Sequence, residues 1–526
     1  MSAGEAPSAP IPIRQQKRLP MPAVSAALGM AASYYGYPFF ISVSVGMYLF
    51  LLALLLFVVV VSFLRVIRLP FMENSLKVPA FVSKLGILAV AAAVGFSLGI
   101  ASRRTVSGPA ETGIAAERVI AVSGLLREDP RSLRGSGLGT LELLECVGEG
   151  GIRASARGSL TVFFPSESIP RLKEFGRGCE VYADGVLSRA IKTAGSRGPV
   201  FNATSVHIVK PAPALEQFRT GLRMTLLEKF QGRQGAKYRD GDAPVWGSFA
   251  SAMLLGMRDD LEADFSEAFR NSGCSYILAL SGMHLAILSG ILAFLIRRPL
   301  GIRWASLVGA LFIVFYVFIA GSQPSLVRSA IMYLIASLAL WGLLKTRAIS
   351  LLGMAFIIQL LFQSETGISI SFILSYLALA GMLTLGETFH SFFRGRLPEI
   401  LNRALSASLG AFIFTAPVVA HFFGTLKPIG IIAGLLVVPL SSVFMVLSLA
   451  ALAAAFIPFP LWSIFDFVLT WFYRLLELIV SLAGRVPGLF LSNPVPVLVV
   501  SILLWVLVLF IQKQDSLHRS SIASFD

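Results

Sequence analysis

The sequence has 526 residues, of which 56% are hydrophobic and only 14% charged, against about 25% charged in ordinary soluble domains. With a mean hydropathy of +0.77, that composition excludes a soluble enzyme, a disordered tail protein and a secreted disulfide scaffold. The net charge of +15 does not by itself argue for nucleic acid, because Lys and Arg in the cytoplasmic loops of a membrane protein account for it.

Taken in chain order, Arg14, Lys17 and Arg18 precede an apolar run that begins near Met21. The run continues well past the 7–15-residue core of a signal peptide, so it reads as uncleaved membrane anchoring. Predicted spans lie near 21–40, 41–64 and 79–101. A polar stretch follows, from Ser102 to Asp242. Spans resume near 276–296, 304–320, 325–344, 348–362, 368–386, 405–423, 428–456, 460–484 and 494–511. The fold class is therefore a polytopic α-helical membrane protein of about twelve spans. The count shifts with the division of the first run, and with whether Pro439 kinks or splits 428–456.

Alternating sides puts Arg65, Arg68 and Lys77 in the cytoplasm, then Arg297, Arg298 and Arg303. Lys345 and Arg347 follow, then Arg394, Arg396 and Arg403, and finally Lys513 and Arg519. The opposite loops, such as Gln363 to Gly367, are charge-poor or acidic. This obeys the positive-inside rule, with both termini inside and the polar stretch outside. The resulting domains are 1–101 (anchor), 102–212 (β domain), 213–275 (amphipathic, interfacial linker), 276–512 (membrane domain) and 513–526 (cytoplasmic tail).

The outer stretch holds five strand-like runs: Val119–Leu126, Gly139–Val147, Gly158–Phe164, Cys179–Leu187 and Ala203–Val209. Their β-branched alternation and Gly/Pro punctuation suit a small extracytoplasmic barrel of the OB type, inserted after the third span. From Pro213 to Gly232, Leu215, Phe218, Leu222, Leu226 and Leu227 recur at helical spacing with Arg219, Arg223 and Lys229 among them, as on an interfacial helix. Cys146 and Cys179 share the oxidising side, where a disulfide and two unpaired thiols are both open. Cys274 reads as packing. No metal-ligand spacing occurs among the three Cys and five His, so no metal and no cofactor are expected.

Polar groups inside spans carry the functional signal, because they are costly there. Leu278 to His284 contains small residues with one His below them. It reads either as a polar patch on a pathway or as a packing seam with a satisfied His. In Gly321 to Arg328, Pro324 suits a helix start. Arg328 one turn on is a path residue or a snorkelling Arg. Ser371 and Ser375 share a helix face. Asp466 is a candidate partner for Arg328, and Arg474 and Glu477 are spaced to neutralise each other.

Together these runs resemble the ComEC family of competence proteins. The resemblance rests on Gly256-Met-Arg258, Tyr276-Ile-Leu-Ala-Leu-Ser-Gly-Met-His284, Gly321-x-x-Pro-Ser-x-x-Arg328 and Phe372-x-Leu-Ser375. Pro417, His421-Phe-Phe-Gly424 and Leu435-Leu-Val-Val-Pro439 continue it in the same order. It implies a channel for single-stranded DNA in the bacterial cytoplasmic (inner) membrane during natural transformation, and no enzyme activity. The expected path residues are Arg258, Ser281, Gly282, His284, Ser325, Arg328, Ser371 and Ser375. Implied partners are single-stranded DNA, membrane lipid, an extracytoplasmic DNA receptor, a separate nuclease and a cytoplasmic DNA-translocating ATPase, with self-association open. Many family members add a metallo-β-lactamase-like nuclease domain. No His-x-His-x-Asp-His run is present and the sequence ends soon after the last predicted span, so strand degradation is not expected of this polypeptide. Met257 stands where the family usually has Asp, with Asp259 and Asp260 as nearby substitutes, and Gly434 stands where Asn is common.

The outer stretch carries 21 Lys/Arg against 15 Asp/Glu, which favours a polyanion modestly. Few aromatics are available there for base stacking (Phe163, Phe164, Tyr182 and Phe201), so weak, sequence-independent contact is expected. Two other functions compete. A small-solute transporter or exporter would show inverted repeats, and none is evident. A membrane-embedded hydrolase would need a third group beside Ser281 and His284.

Overall fold

The computed structural model describes residues 22–40, 80–104, 112–133, 136–188, 199–231, 246–341, 347–454, 462–491, 495–501 and 503. The predicted span 41–64, most of 494–511 and the tail 513–526 lie outside the described residues, as do Arg14, Lys17, Arg18, Arg65, Arg68, Lys77 and Lys345. The chain divides into two compact units, one of residues 1–104 with Ile349–Ile357, the other containing the rest.

In the first unit, α1 (Pro22–Phe40) packs on α2 (Ala80–Arg104). A Cβ on Gly95 would collide with the carbonyl of Ala26, and one on Gly99 with that of Met30. Ala26 meets Gly95, Met30 meets Gly99 and Tyr34 lies under Arg103, so the two helices run parallel. Backbone contact through small residues is how helices associate where lipid offers no hydrophobic drive.

The second unit begins with a mixed sheet: β1 (Val119–Leu126), β2 (Arg131–Leu133), β3 (Ser136–Gly148), β4 (Arg153–Ser155), β5 (Ser159–Pro165), β6 (Glu180–Ser188) and β7 (Val200–Lys210). All five sequence-predicted strands are present within a few residues. β2 and β4, three residues each, are too short to show a period. The order β1-β6-β7-β5-β3 returns to β1, which pairs with both β6 and β3. Only β5 and β7 run parallel in that path. Along β5, Leu160, Val162 and Phe164 alternate inward, the period-2 signature of a strand with one buried face. Helix α3 (Ile169–Phe175) follows β5 and buries Ile169 and Leu172.

Cys146 and Cys179 are free thiols buried in this core, and the disulfide alternative is discarded. Cys146 pairs with Val122 on one side of β1, whereas the Cys179 carbonyl accepts from Leu126 N. Four residues of strand, about 13 Å, and the width of β1 separate the two. A disulfide needs Cα atoms within about 7 Å.

Helix α4 (Ala214–Gln231) has the predicted extent, and Leu222, Leu226 and Leu227 pack inward, but two of its arginines turn inward with them. Arg219 is buried, paired with Asp129 and Glu216, and Arg223 also pairs with Asp129. Leu215 and Phe218 are the exposed ones. The next helix, α5 (Trp246–Leu255), is buried along its whole length. At about 15 Å it is too short to cross a bilayer, and it forms the heart of the helical core rather than an interfacial linker. Around it pack Phe265 and Phe269 of α6 (Ala263–Asn271), Ile277 of α7 (Ser275–Leu278), and residues such as Val437, Phe444 and Tyr473 from helices near the C-terminus.

Six helices among the described residues are long and apolar enough to cross a membrane. They are α8 (Gly282–Ala320), α9 (Pro324–Trp341), Ile370–Phe393, α13 (Glu399–Phe423), α14 (Ile429–Ala454) and Ile464–Gly484 within α15 (Trp462–Gly484). The segment Ile370–Phe393 comprises α11 (Ile370–Gly381), a π-helical turn at Met382–Gly386 and α12 (Glu387–Phe393). The shorter α10 is Ala348–Phe362. Straight, the 39 residues of α8 would measure about 58 Å. Yet Ser325, beyond one end, donates a hydrogen bond to the carbonyl of Leu280, beyond the other. The helix therefore doubles back at Gly301, whose φ of 77° is non-helical, two residues after Pro299. Its two legs occupy the predicted spans 276–296 and 304–320. Pro439, by contrast, lies inside a continuous α14.

Candidate functional site

The site is built where α8 and α9 begin. Ser281 is the N-cap of α8: its hydroxyl accepts from Met283 N, and its own N–H donates to His284 Nδ1 at 3.0 Å. This reciprocal capping box satisfies two donors that a helix start leaves orphaned. Helix α9 opens on Pro324, whose missing N–H costs nothing at a first helical position. Ser325 ties that turn to Leu280.

Arg328, one turn into α9, is 8% exposed. Its Nη1 donates to the carbonyl of Ser375, and to Ser375 Oγ at 2.6 Å. Nη2 reaches Ser329 Oγ at 3.5 Å, and the guanidinium lies 5.8 Å from the centre of the Tyr376 ring. Its Nε is buried without a partner, as is His284 Nε2. No carboxylate pairs with Arg328 among the described residues. Asp466, the partner considered from sequence, instead accepts from Trp246 Nε1 at 2.8 Å. Gly282 lies against this group: a Cβ there would sit 2.5 Å from Ser329 Oγ and 3.4 Å from Arg328 Nη2.

Tyr376 and Gln359 extend the network. Tyr376 OH donates to Gln359 Oε1 at 2.8 Å, and Gln359 Nε2 donates to the Pro324 carbonyl at 3.1 Å. The motif residues Ser281, Gly282, His284, Ser325, Arg328 and Ser375 thus converge from three helices. Ser371 does not, being exposed a turn before Ser375. Arg474 is also exposed, and no ion pair joins it to Glu477 among the described residues. Gln359 and Tyr376 were missed. A lone Gln in an apolar run is the intramembrane polar signal that could have found the first.

Arg258 sits apart, exposed on the connection after α5. Burial of its surroundings pushes its guanidinium pKa down, and the positive charge of Arg131 adds to that. Next to it, Asp259 is not a spare acid: it accepts from Ser132 N at 3.1 Å and pairs with Lys173 at 2.7 Å, both in the β domain. Arg127 and Glu365 form a further tie, and Arg219 Nε donates to the Ile319 carbonyl at the end of α8. Gly434 faces Tyr276, whose OH would be 2.6 Å from an added Cβ, so an Asn would not fit without movement. No cluster of His, Cys, Asp and Glu able to hold a metal exists among the described residues.

A family model described as Competence protein matches residues 253–515, half of the chain and all of the buried network. The chain is similar to ComE operon protein 3 of Bacillus subtilis, with 28% identity over 262 residues, covering 47% of this chain and 32% of that protein. It is also similar to an uncharacterized protein of Aquifex aeolicus, with 28% identity over 39% of this chain and 46% of that protein. A third relative is the uncharacterized protein YcaI of Escherichia coli, with 26% identity over 37% of this chain and 27% of that protein. The matched segments span less than half the length of each of these relatives. The chain belongs to the competence protein family.

Proposed function

We propose that this multi-pass membrane protein is the channel through which single-stranded DNA enters the cell across the cytoplasmic membrane during natural transformation. Arg328 carries the reading. An uncompensated cation in an apolar interior is unfavourable, whereas a passing phosphate backbone supplies the missing anions. The planar fork of Arg meets phosphate bidentately. A receptor outside, a separate nuclease and a cytoplasmic translocating ATPase complete the route. Ser281 and His284 do touch, as a hydrolase would need, but the contact is a helix cap, and no carboxylate orients His284 among the described residues.

Twelve spans with an outer OB-type barrel fit this role. In support, the five-stranded path of the β domain closes on itself, as such barrels do. The connections 256–262 and 363–369, on the side assigned outside, both meet the β domain, through Asp259 and Glu365, and the end of α8 meets Arg219 of α4. Trp304 and Trp341, assigned to the cytoplasmic ends of their spans, meet edge to face at 5.9 Å, as interfacial aromatics would.

The test is uptake of labelled DNA by a deletion strain, scored separately for surface-bound and internalised DNA. The strain should keep surface binding and lose internalisation, and a plasmid copy should restore it. Normal internalisation without the protein would overturn the reading.

A further inference from the structure

The joint between the β domain and the helices holds a second group of cations. The bond from Ser132 N to Asp259 Oδ1, at 3.1 Å, fixes β2 beside the connection after α5. The preceding residues, Arg131 and Arg258, thereby come within electrostatic range of each other. Like charges placed together repel. Asp259 is engaged by Ser132 and Lys173. Arg131 pairs with Glu128 at 3.9 Å, with both side chains largely exposed, a contact worth little in water. Arg258 has no hydrogen-bond or ion-pair partner among the described residues.

The surroundings add to the positive field. A Cβ at Gly256 would meet Leu280 and Gln323, so the connection carrying Arg258 packs where α8 and α9 begin. The N-terminal ends of both helices carry partial positive charge. Arg258 also lies within electrostatic range of His284, whose Nε2 is fully buried and unpartnered.

We infer that Arg131 and Arg258 form a two-armed phosphate clamp at the joint between the β domain and the helical core, gripping the backbone of the single strand before it reaches Arg328. The clamp rests on the channel reading for its ligand. Its chemistry is that of any diphosphate-like anion: two forked donors on separate domains, each able to take one non-bridging oxygen pair. Because one arm belongs to the β domain and the other to the helical core, an occupied clamp also holds the two together.

The experiment uses the full chain in detergent, a fluorescein-labelled 20-mer of dT, and inorganic pyrophosphate as a backbone-only probe. Arg131→Gln, Arg258→Gln and the double variant are compared with Arg153→Gln, an exposed charge elsewhere on the β domain. Each clamp variant should weaken strand binding about tenfold at low salt. Each should also lower the salt slope by about 0.7, the value for one single-strand phosphate contact. Pyrophosphate should compete with the strand for the unaltered protein and lose affinity in the same variants. Arg131 is exposed, so its variant folds whatever happens at Arg258. A double variant with unchanged affinity and slope overturns the clamp, as does an equal loss in Arg153→Gln. If pyrophosphate binds through both arginines but the strand does not, the anion site stands and the channel reading falls.

Discussion

Arg328 and Ser375 are separated by 47 residues in sequence and joined by hydrogen bonds in space. That contact turns two polar spots in apolar runs into one buried group. Arg328→Ala should reach the membrane in normal amount, retain surface-bound DNA and lose internalisation by about a hundredfold, the worth of a bidentate contact. Arg328→Lys should lose about tenfold, since Lys is a point charge. Normal uptake at normal protein level would reduce Arg328 to an anchor. Gly282→Ala is a gentler probe of the same group. The new methyl would press on Ser329 and Arg328, costing about 1–3 kcal/mol in thermal stability and lowering uptake without removing any charge. In the β domain, burial raises the thiols of Cys146 and Cys179 from 9.0 to about 11. Folding therefore favours the neutral thiol. The stability this confers is intact below about pH 9 and is lost as pH rises toward about 11, where the unfolded thiols ionise first. Alkylation at pH 8 should leave both untouched in the native protein and modify both after denaturation. Rapid native labelling would show that the core is open.

At the scale of elements, α8 shows how one residue sets an architecture. Hydropathy marks 276–296 and 304–320 as separate apolar runs, and the backbone makes them one helical element hinged at Gly301. With φ 77° and ψ 170°, that position lies where a side chain costs about 1–3 kcal/mol. Gly301→Ala should lower the melting temperature accordingly, whereas Ala at the neighbouring Leu300, which is exposed, should not. Equal effects would mean that the turn does not depend on its conformation. Helix α5 teaches the opposite lesson. Its ten residues are apolar on every side, and a short apolar run cannot be told from a buried strand or an interfacial segment by periodicity. Only its neighbours, Phe265, Phe444 and Tyr473, identify it as core.

For the whole molecule, the decisive arrangement is that loops far apart in sequence lie at the β domain. Impermeant thiol labelling of intact cells should modify a cysteine at Glu149 or Ser364 and spare one at Arg394, which the charge pattern puts inside. Labelling of Arg394 and Glu149 alike would overturn the topology. Removing Asp129, which holds Arg219 and Arg223, should cost about 3 kcal/mol or more, the penalty for stranding a buried charge. Sequence by itself determined the membrane class, the boundaries of most apolar runs, the five main strands and the residue types able to carry chemistry. These follow from composition, from period-2 and period-3.6 burial, and from the cost of polar atoms in lipid, all of them local quantities. Tertiary structure alone decided that Arg219 and Arg223 turn inward while Leu215 and Phe218 face out, because their partners come from a strand loop about 90 residues earlier. It alone kept Cys146 and Cys179 apart, excluded Ser371 from the network and brought in Gln359 and Tyr376. Pairing across such separations is set by how the elements pack, and no local pattern encodes it.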